Sequence, residues 1–371
     1  MCSVGIGKDQ IETPALLIDL DALDRNIETM ASYYRGRKGS ALMPHQKGHR
    51  LPAIAKKQIA AGAKGVCSTS LGLADFYVNC GVDNILVTAE VYGSCKISKL
   101  IGLCKQANVT ATVDNVENVR QLSEAAIANG AKINVAMELY MGSGAGVQLD
   151  KTRAFVKEIQ KFNGVSFRGL WWHEGTLAGV KSFEDRKRME FEILEQVASA
   201  RDEIEDAGVS VEMLSGGFTA TWNITPEFPG LNNIGVQAGS YVFSDWGSHL
   251  IQGIEVFDCA LTVLTRCISR PTPIEAIFDA GMNSCSDESG EDYHLITGPK
   301  FKELTGVKTI FQREELLVAG FESPNVTVKV GDLLELIPPH SDTTAKLHDQ
   351  YYGMRNDKVE VVWANHGRGR F

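Results

Sequence analysis

Short runs of β-branched and apolar residues alternate with amphipathic stretches from about residue 40 to 240. Eight runs read as strands, at 40–44, 65–68, 84–88, 110–114, 134–139, 166–172, 211–214 and 234–237. The stretches between them include 51–61, 116–129, 151–162 and 183–207, where apolar residues recur at helical spacing. Gly62, Gly130 and Gly208 stand at the ends of three of these, where a helix commonly stops. Such repetition predicts parallel strands joined by crossover helices. Eight units make a closed TIM-like (β/α)8 barrel the economical α/β solution, with an open doubly wound sheet as the alternative.

The texture changes after residue 250. Runs at 260–265, 274–279, 325–330 and 359–363 are β-rich and separated by Gly, Pro and Asp turns, which predicts an antiparallel C-terminal β domain. A strand at 15–20, followed by a helix at 21–34, is expected to pair with that domain and tie the two ends of the chain together. The expected division is a barrel at 22–248 and a β domain formed by 1–21 and 249–371.

Composition changes this picture little. The 371 residues are 44% hydrophobic and 22% charged, as in an ordinary globular protein. A net charge of -9 argues against nucleic acid as a partner, since neutralising phosphates takes clustered Lys and Arg. The N-terminal residues lack the apolar core of a signal peptide and no later run is long enough to span a membrane, so a cytoplasmic protein with no membrane partner is expected. The eight cysteines include no CxxC pair and read as isolated thiols.

Candidate chemistry lies at the strand ends. The first barrel strand runs into Pro44-His45-Gln46-Lys47-Gly48-His49-Arg50. In a barrel that end is the catalytic face, so Lys47 and His49 are expected there. A lysine in a partly desolvated, cationic setting has a lowered pKa and can form a Schiff base with an aldehyde. A lone lysine after a strand is more often a solvated loop residue. Two glycine loops shift the balance: Ser215-Gly216-Gly217 after the seventh strand, and Gly239-Ser240-Tyr241 after the eighth. Barrel enzymes often bind phosphate there, where small residues let backbone N–H groups approach the oxygens.

Lys47 in PHQKGH, SGG at 215–217, QAGSY at 237–241 and PPHSDTTAKLHDQYYGMR at 338–355 together resemble the D-threonine aldolase and D-serine dehydratase family. That resemblance implies a fold-type III pyridoxal 5'-phosphate enzyme with an alanine-racemase-like barrel and a β domain. It implies that Lys47 carries the cofactor, that Ser215, Gly216, Gly217, Gly239 and Ser240 surround its phosphate with Tyr241 nearby, and that His340 and Asp342 ligate a divalent metal. An imidazole and a carboxylate two residues apart share one side of an extended segment, and with open positions they suit Mn²⁺, Mg²⁺ or Zn²⁺. Members devoted to dehydration typically carry Cys where this chain has Asp342, so the resemblance leans towards aldol cleavage of a β-hydroxy-D-amino acid to glycine and an aldehyde. Metal-assisted dehydration to a 2-oxo acid and ammonia is the runner-up. A racemase leaves the metal pair without a task, and a non-catalytic cofactor carrier generally lacks the β domain. A homodimer is expected.

Two positions depart from the family pattern. Gly144 stands where an Arg facing the pyridine nitrogen is usual. The sixth strand ends Trp171-Trp172-His173-Glu174, where aldolases more often have a tyrosine; His173 is read either as a stacking or basic group or as a packed histidine. With His49 it completes the candidate proton-transfer groups. Arg153, Arg168, Arg313 and Arg355 are candidates for holding a substrate carboxylate.

Overall fold

A computed structural model describes residues 4–142, 144–287 and 298–371; Cys2 lies outside that range, as does Ser143 of the loop after the fifth barrel strand. The first strand, β1 (Ala15–Asp19), leads into helix α1 (Leu20–Tyr34). The barrel strands follow as β2 (Ser40–Leu42), β3 (Val66–Ser68), β4 (Asn84–Glu90), β5 (Asn108–Val113), β6 (Ile133–Leu139), β7 (Val165–Trp172), β8 (Met213–Gly216) and β9 (Ile234–Val236). Their order is β2-β9-β8-β7-β6-β5-β4-β3, all parallel. Backbone hydrogen bonds join the two edge strands: Lys64 N–H to Leu42 O at 2.9 Å, Cys67 N–H to Pro44 O at 3.0 Å and Gln46 N–H to Cys67 O at 2.9 Å. This is the expected α/β barrel.

The strands form where the sequence is apolar throughout, because a parallel strand is covered on both faces. In β5, every residue after Asn108 is buried. Met43, Cys67, Leu86, Ala136 and Trp171 fill the interior. The crossovers are α2 (Pro52–Ala60), α3 (Leu71–Asn79), α4 (Ser94–Cys104), α5 (Val116–Ala128), α6 (Thr152–Ile159) and α7 (Phe183–Glu205). Ser70, Asn115 and Ser182 cap α3, α5 and α7 by accepting a backbone N–H three residues on. Gly62, Gly130 and Gly208 follow α2, α5 and α7 with positive φ, as the spacing predicted.

The second unit is built from β10 (Leu261–Thr272), β11 (Glu275–Phe278), β12 (Lys300–Phe301), β13 (Val307–Gln312), β14 (Leu317–Phe321), β15 (Leu333–Ile337), β16 (Gln350–Arg355) and β17 (Lys358–Ala364). The pairs are antiparallel except β1 with β16. β1 lies between β10 and β16, so the N-terminal strand does join the C-terminal sheet. Ile11, Ala15, Leu17, Leu264, Tyr352 and Val359 form its core.

The run at 325–330 is not a strand. Its carbonyls are taken by the Arg270 guanidinium, which donates to Val326 O at 3.0 Å and to Val328 O, and the ladder runs instead through β14 and β15. The chain forms two compact units, Met1–Thr29 with Ser240–Arg368, and Met30–Gly239 with Gly369–Phe371.

Candidate active site

The turn after β2 sets Lys47 outward by fixing its neighbours. Gln46 is buried, with its amide donating to Pro44 O at 2.9 Å and Gln58 Oε1 at 3.0 Å. His45 shares a hydrogen bond of 3.1 Å with Thr88 Oγ1 on β4, and its Nδ1 accepts the Lys47 amide at 3.4 Å. His49 is fully buried and its Nδ1 accepts the Leu51 amide at 3.0 Å, at the start of α2. Lys47 is exposed between these anchored residues, at the C-terminal end of the first barrel strand. His49 has the geometry of a residue that shapes the turn.

The other strand ends follow the same logic. Ser215 is buried; its hydroxyl donates to Gly235 O at 3.0 Å and accepts from Gln237 Nε2 at 3.0 Å. Gly216 lies against the Trp172 indole and Gly239 against the His45 carbonyl, both too closely for a Cβ. Gly217 has φ of +75°, a conformation that glycine adopts without strain. Gly216 and Gly239 are therefore required by close approach of protein atoms. His173 is exposed at the end of β7, with Phe218 edge-on at 6.2 Å. Ser240 opens a 3-10 turn (Ser240–Val242), and the buried Tyr241 ring lies 5.6 Å from Phe257. Gly144 has φ of +79°, a backbone in which an arginine would be strained.

Two carboxyl groups at these strand ends carry signals that pattern reading did not pick out. Glu138, near the end of β6, is pushed up to about 8, first by burial and then by the charge of Glu90 at the end of β4, which also hydrogen-bonds to it. Asp114, after β5, adds to the same effect. Glu174, next to His173, is fully buried and is pushed up to about 7 by that burial. Perturbed acids of this kind collect at functional clefts.

His340 and Asp342, expected from the resemblance to ligate a metal, lie in the second unit. His340 caps a short helix, α8 (Ser341–Ala345), and Asp342 lies in its first turn. The segment is thus not extended through both residues, yet His340 Nε2 and Asp342 Oδ2 lie 3.9 Å apart. Two ligands bonded at about 2.0–2.2 Å to one cation can be separated by that distance. No group of three or more His, Cys, Asp and Glu suited to a metal occurs among the described residues. Asp245, which sequence reading missed, holds this corner. It is buried, its Oδ2 accepts the Ser341 amide at 2.9 Å, and its Oδ1 accepts the amide and hydroxyl of Ser248 at 2.8 and 2.6 Å.

The arginines divide by position. Arg168 pairs with Glu212 at 2.8 Å, and both line a cavity of about 430 Å³ with Ser40, Lys64 and Asn84 at the N-terminal strand ends, opposite the catalytic face. Arg355 is paired with Asp21, Asp24 and Glu360. Arg153 and Arg313 are exposed.

Comparison with known proteins follows this geometry. Residues 18–243 match the family "Alanine racemase, N-terminal domain", and 260–354 match "Putative serine dehydratase domain". The 3-hydroxy-D-aspartate aldolase of Paracoccus denitrificans (strain Pd 1222) is 34% identical over 380 residues, spanning 99% of this chain and 94% of the relative. A crystal structure of D-threonine aldolase from Filomicrobium marinum superposes with a TM-score of 0.93 at 30% identity, covering 100% and 98% of the two chains. The D-threo-3-hydroxyaspartate dehydratase of Delftia sp. (strain HT23) is more distant, 24% identical over 371 residues, 95% of this chain and 97% of the relative. Sequence and fold agree: the chain belongs to the alanine-racemase-like family that includes the 3-hydroxy-D-aspartate and D-threonine aldolases.

Proposed function

We propose that this chain is a lyase that uses pyridoxal phosphate and a divalent metal to cleave a β-hydroxy-D-amino acid, of the D-threonine or 3-hydroxy-D-aspartate type, to glycine and an aldehyde. The observation that carries this reading is identity across nearly the whole chain, 34% to a 3-hydroxy-D-aspartate aldolase against 24% to a dehydratase. Asp342 beside His340 points the same way, as the oxygen ligand the aldolase reading requires.

When bound, the cofactor would supply an electron sink for the bond-breaking at Cα. Lys47 would hold it, because the residue is exposed at the C-terminal end of the first barrel strand, on a turn fixed by Gln46 and His49. Ser215, Gly216, Gly217 and Gly239, with Ser240 and Tyr241, are assigned to the surroundings of its phosphate. Ser215 would contribute by fixing β8 to β9, because its hydroxyl is already engaged. His173 is the proton-transfer group of this reading: it is exposed at the end of β7, whereas His49 is buried with Nδ1 occupied. His340 and Asp342 would ligate Mn²⁺ or Mg²⁺, with Zn²⁺ as a third choice, and the ion would acidify a substrate hydroxyl. A cytoplasmic homodimer belongs to the same proposal; among the described residues no helix is long and apolar enough to cross a membrane.

Product analysis by mass spectrometry tests the reading. The enzyme with pyridoxal phosphate and Mn²⁺ is offered D-threonine and both diastereomers of D-3-hydroxyaspartate. Glycine with acetaldehyde or glyoxylate is expected. A 2-oxo acid with ammonia would make it a dehydratase and would remove Asp342 as a marker of reaction type.

A further inference from the structure

The base of the barrel, opposite the catalytic face, holds groups that the chemistry above does not use. Asn84 begins β4, Asn108 begins β5 and Asn134 lies near the start of β6. Side chains alternate along a strand, and Leu86 and Ala136, two residues on from Asn84 and Asn134, belong to the barrel interior. Asn108 pairs in register with Asn84. The three amides therefore share the inner side of the sheet at its N-terminal edge, where they join in a ladder. Asn84 Nδ2 donates to Lys64 O at 2.7 Å, Asn108 Nδ2 to Asn84 Oδ1 at 2.9 Å, and Asn134 Nδ2 to Asn108 Oδ1 at 3.1 Å. Gly65 makes room for it, since a Cβ there would lie 2.6 Å from Asn84 Nδ2.

The Lys64 carbonyl can only accept, so it fixes which way the amides of the ladder point. The oxygens of Asn84 and Asn108 are taken by the next amide, and each residue keeps a second N–H with no partner among the described residues. Both line the cavity of about 430 Å³. Ala41, Thr110 and Gly235 line it too, where bulky branched side chains usually fill a barrel layer. The space thus follows from small and polar residues at the base. Its cations differ in commitment. Arg37 pairs with Glu227 at 2.7 Å, and Arg168 Nη2 with Glu212 Oε2 at 2.8 Å, which leaves Arg168 further N–H donors. Lys64 is exposed on the same cavity, and its ammonium makes no ion pair or hydrogen bond among the described residues.

A cation without a counter-charge beside spare N–H donors, in a chain whose net charge is -9, suits an anionic ligand. Lys64 leads into β3 and Arg168 lies on β7, four strands away in the order of the sheet, so they face each other across the barrel base. A ligand that meets both carries an anionic group at each end. Arg168 already receives a carboxylate from Glu212, which shows the geometry it accepts. We propose that the barrel base binds a small organic dicarboxylate, one carboxylate held by Lys64 and the Asn84–Asn108 ladder, the other by Arg168 and the Thr110 hydroxyl. This site is independent of the cofactor reading.

Thermal melts and calorimetric titration of the full chain, loaded with pyridoxal phosphate, test it with succinate as the probe and succinamide as the uncharged control. Succinate should bind and raise the melting temperature, and succinamide should do neither. Lys64→Ala and Asn108→Leu should each weaken succinate binding about tenfold or more, as the loss of a hydrogen bond to a charged group implies. The cofactor absorbance should not change on adding succinate, because the site lies at the other end of the barrel. Succinate binding that survives in both variants, or that shifts the cofactor absorbance, would place the ligand elsewhere and overturn the assignment. Absence of succinate binding to the wild type would overturn it as well, and equal stabilisation by phosphate would overturn the choice of a dicarboxylate.

Discussion

Lys47 is the residue on which the proposed chemistry turns. The side chains at 45, 46 and 49 each make a hydrogen bond within or beside the turn, and Lys47 is exposed between them. Lys47→Ala should abolish turnover, with a loss of at least about a thousandfold for a covalent catalyst, and should leave the thermal melt unchanged. Steady-state assays and melting curves check this; full turnover by the variant would remove the residue's role. Asp245 acts one step away from the metal pair. Asp245→Ala unties Ser341 between the two ligands and should weaken Mn²⁺ binding about 10–100-fold, read by calorimetry, as expected for a residue that orients ligands. These two sites were unequally legible. Lys47, His340 and Asp342 stood out in motifs, whereas Asp245 carries no local signature. Its place in the corner arises from a partner 96 residues away in sequence. Glu174 did leave a trace, as an acid directly after a run that includes two buried tryptophans.

At the scale of elements, the eight barrel strands were readable because a parallel strand buried on both faces is a continuous apolar run. The β unit was harder. Apolar residues at 325–330 look like a strand, but the ladder partner that would make them one is replaced by the Arg270 side chain. Arg270→Ala should therefore lower the melting temperature, since three backbone carbonyls, those of Pro273, Val326 and Val328, lose a charged donor at about 1.5–3 kcal/mol for each hydrogen bond at most. An unchanged melt would mean that solvent replaces the guanidinium at no cost. The expectation for His340 and Asp342 also met a local surprise. The pair converges at the start of a helix, and the strand geometry that motivated it is absent.

For the whole molecule, the buried acids set a pH dependence. A carboxyl raised in the folded state binds its proton more tightly there than when unfolded. Its contribution to stability is fully present below the ordinary carboxylate range and is lost as pH rises through the folded value. With Glu174 at about 7 and Glu138 at about 8, thermal stability should fall as pH rises from about 4.5 to 8 and level off above that. Glu138→Gln should flatten part of that fall; a wild-type melt independent of pH over this range would show that the two acids are not perturbed. Metal removal is the other global test. Chelation should stop cleavage and Mn²⁺ should restore it, with His340→Ala unresponsive to added metal at ordinary concentrations.

In the proposed function the cofactor is carried on Lys47, at the C-terminal end of the first barrel strand. Borohydride reduction of the protein loaded with pyridoxal phosphate, followed by digestion and mass spectrometry, tests it most directly. The predicted result is a single pyridoxylated lysine in the peptide containing Lys47. Modification confined to another lysine, or none at all, would contradict it.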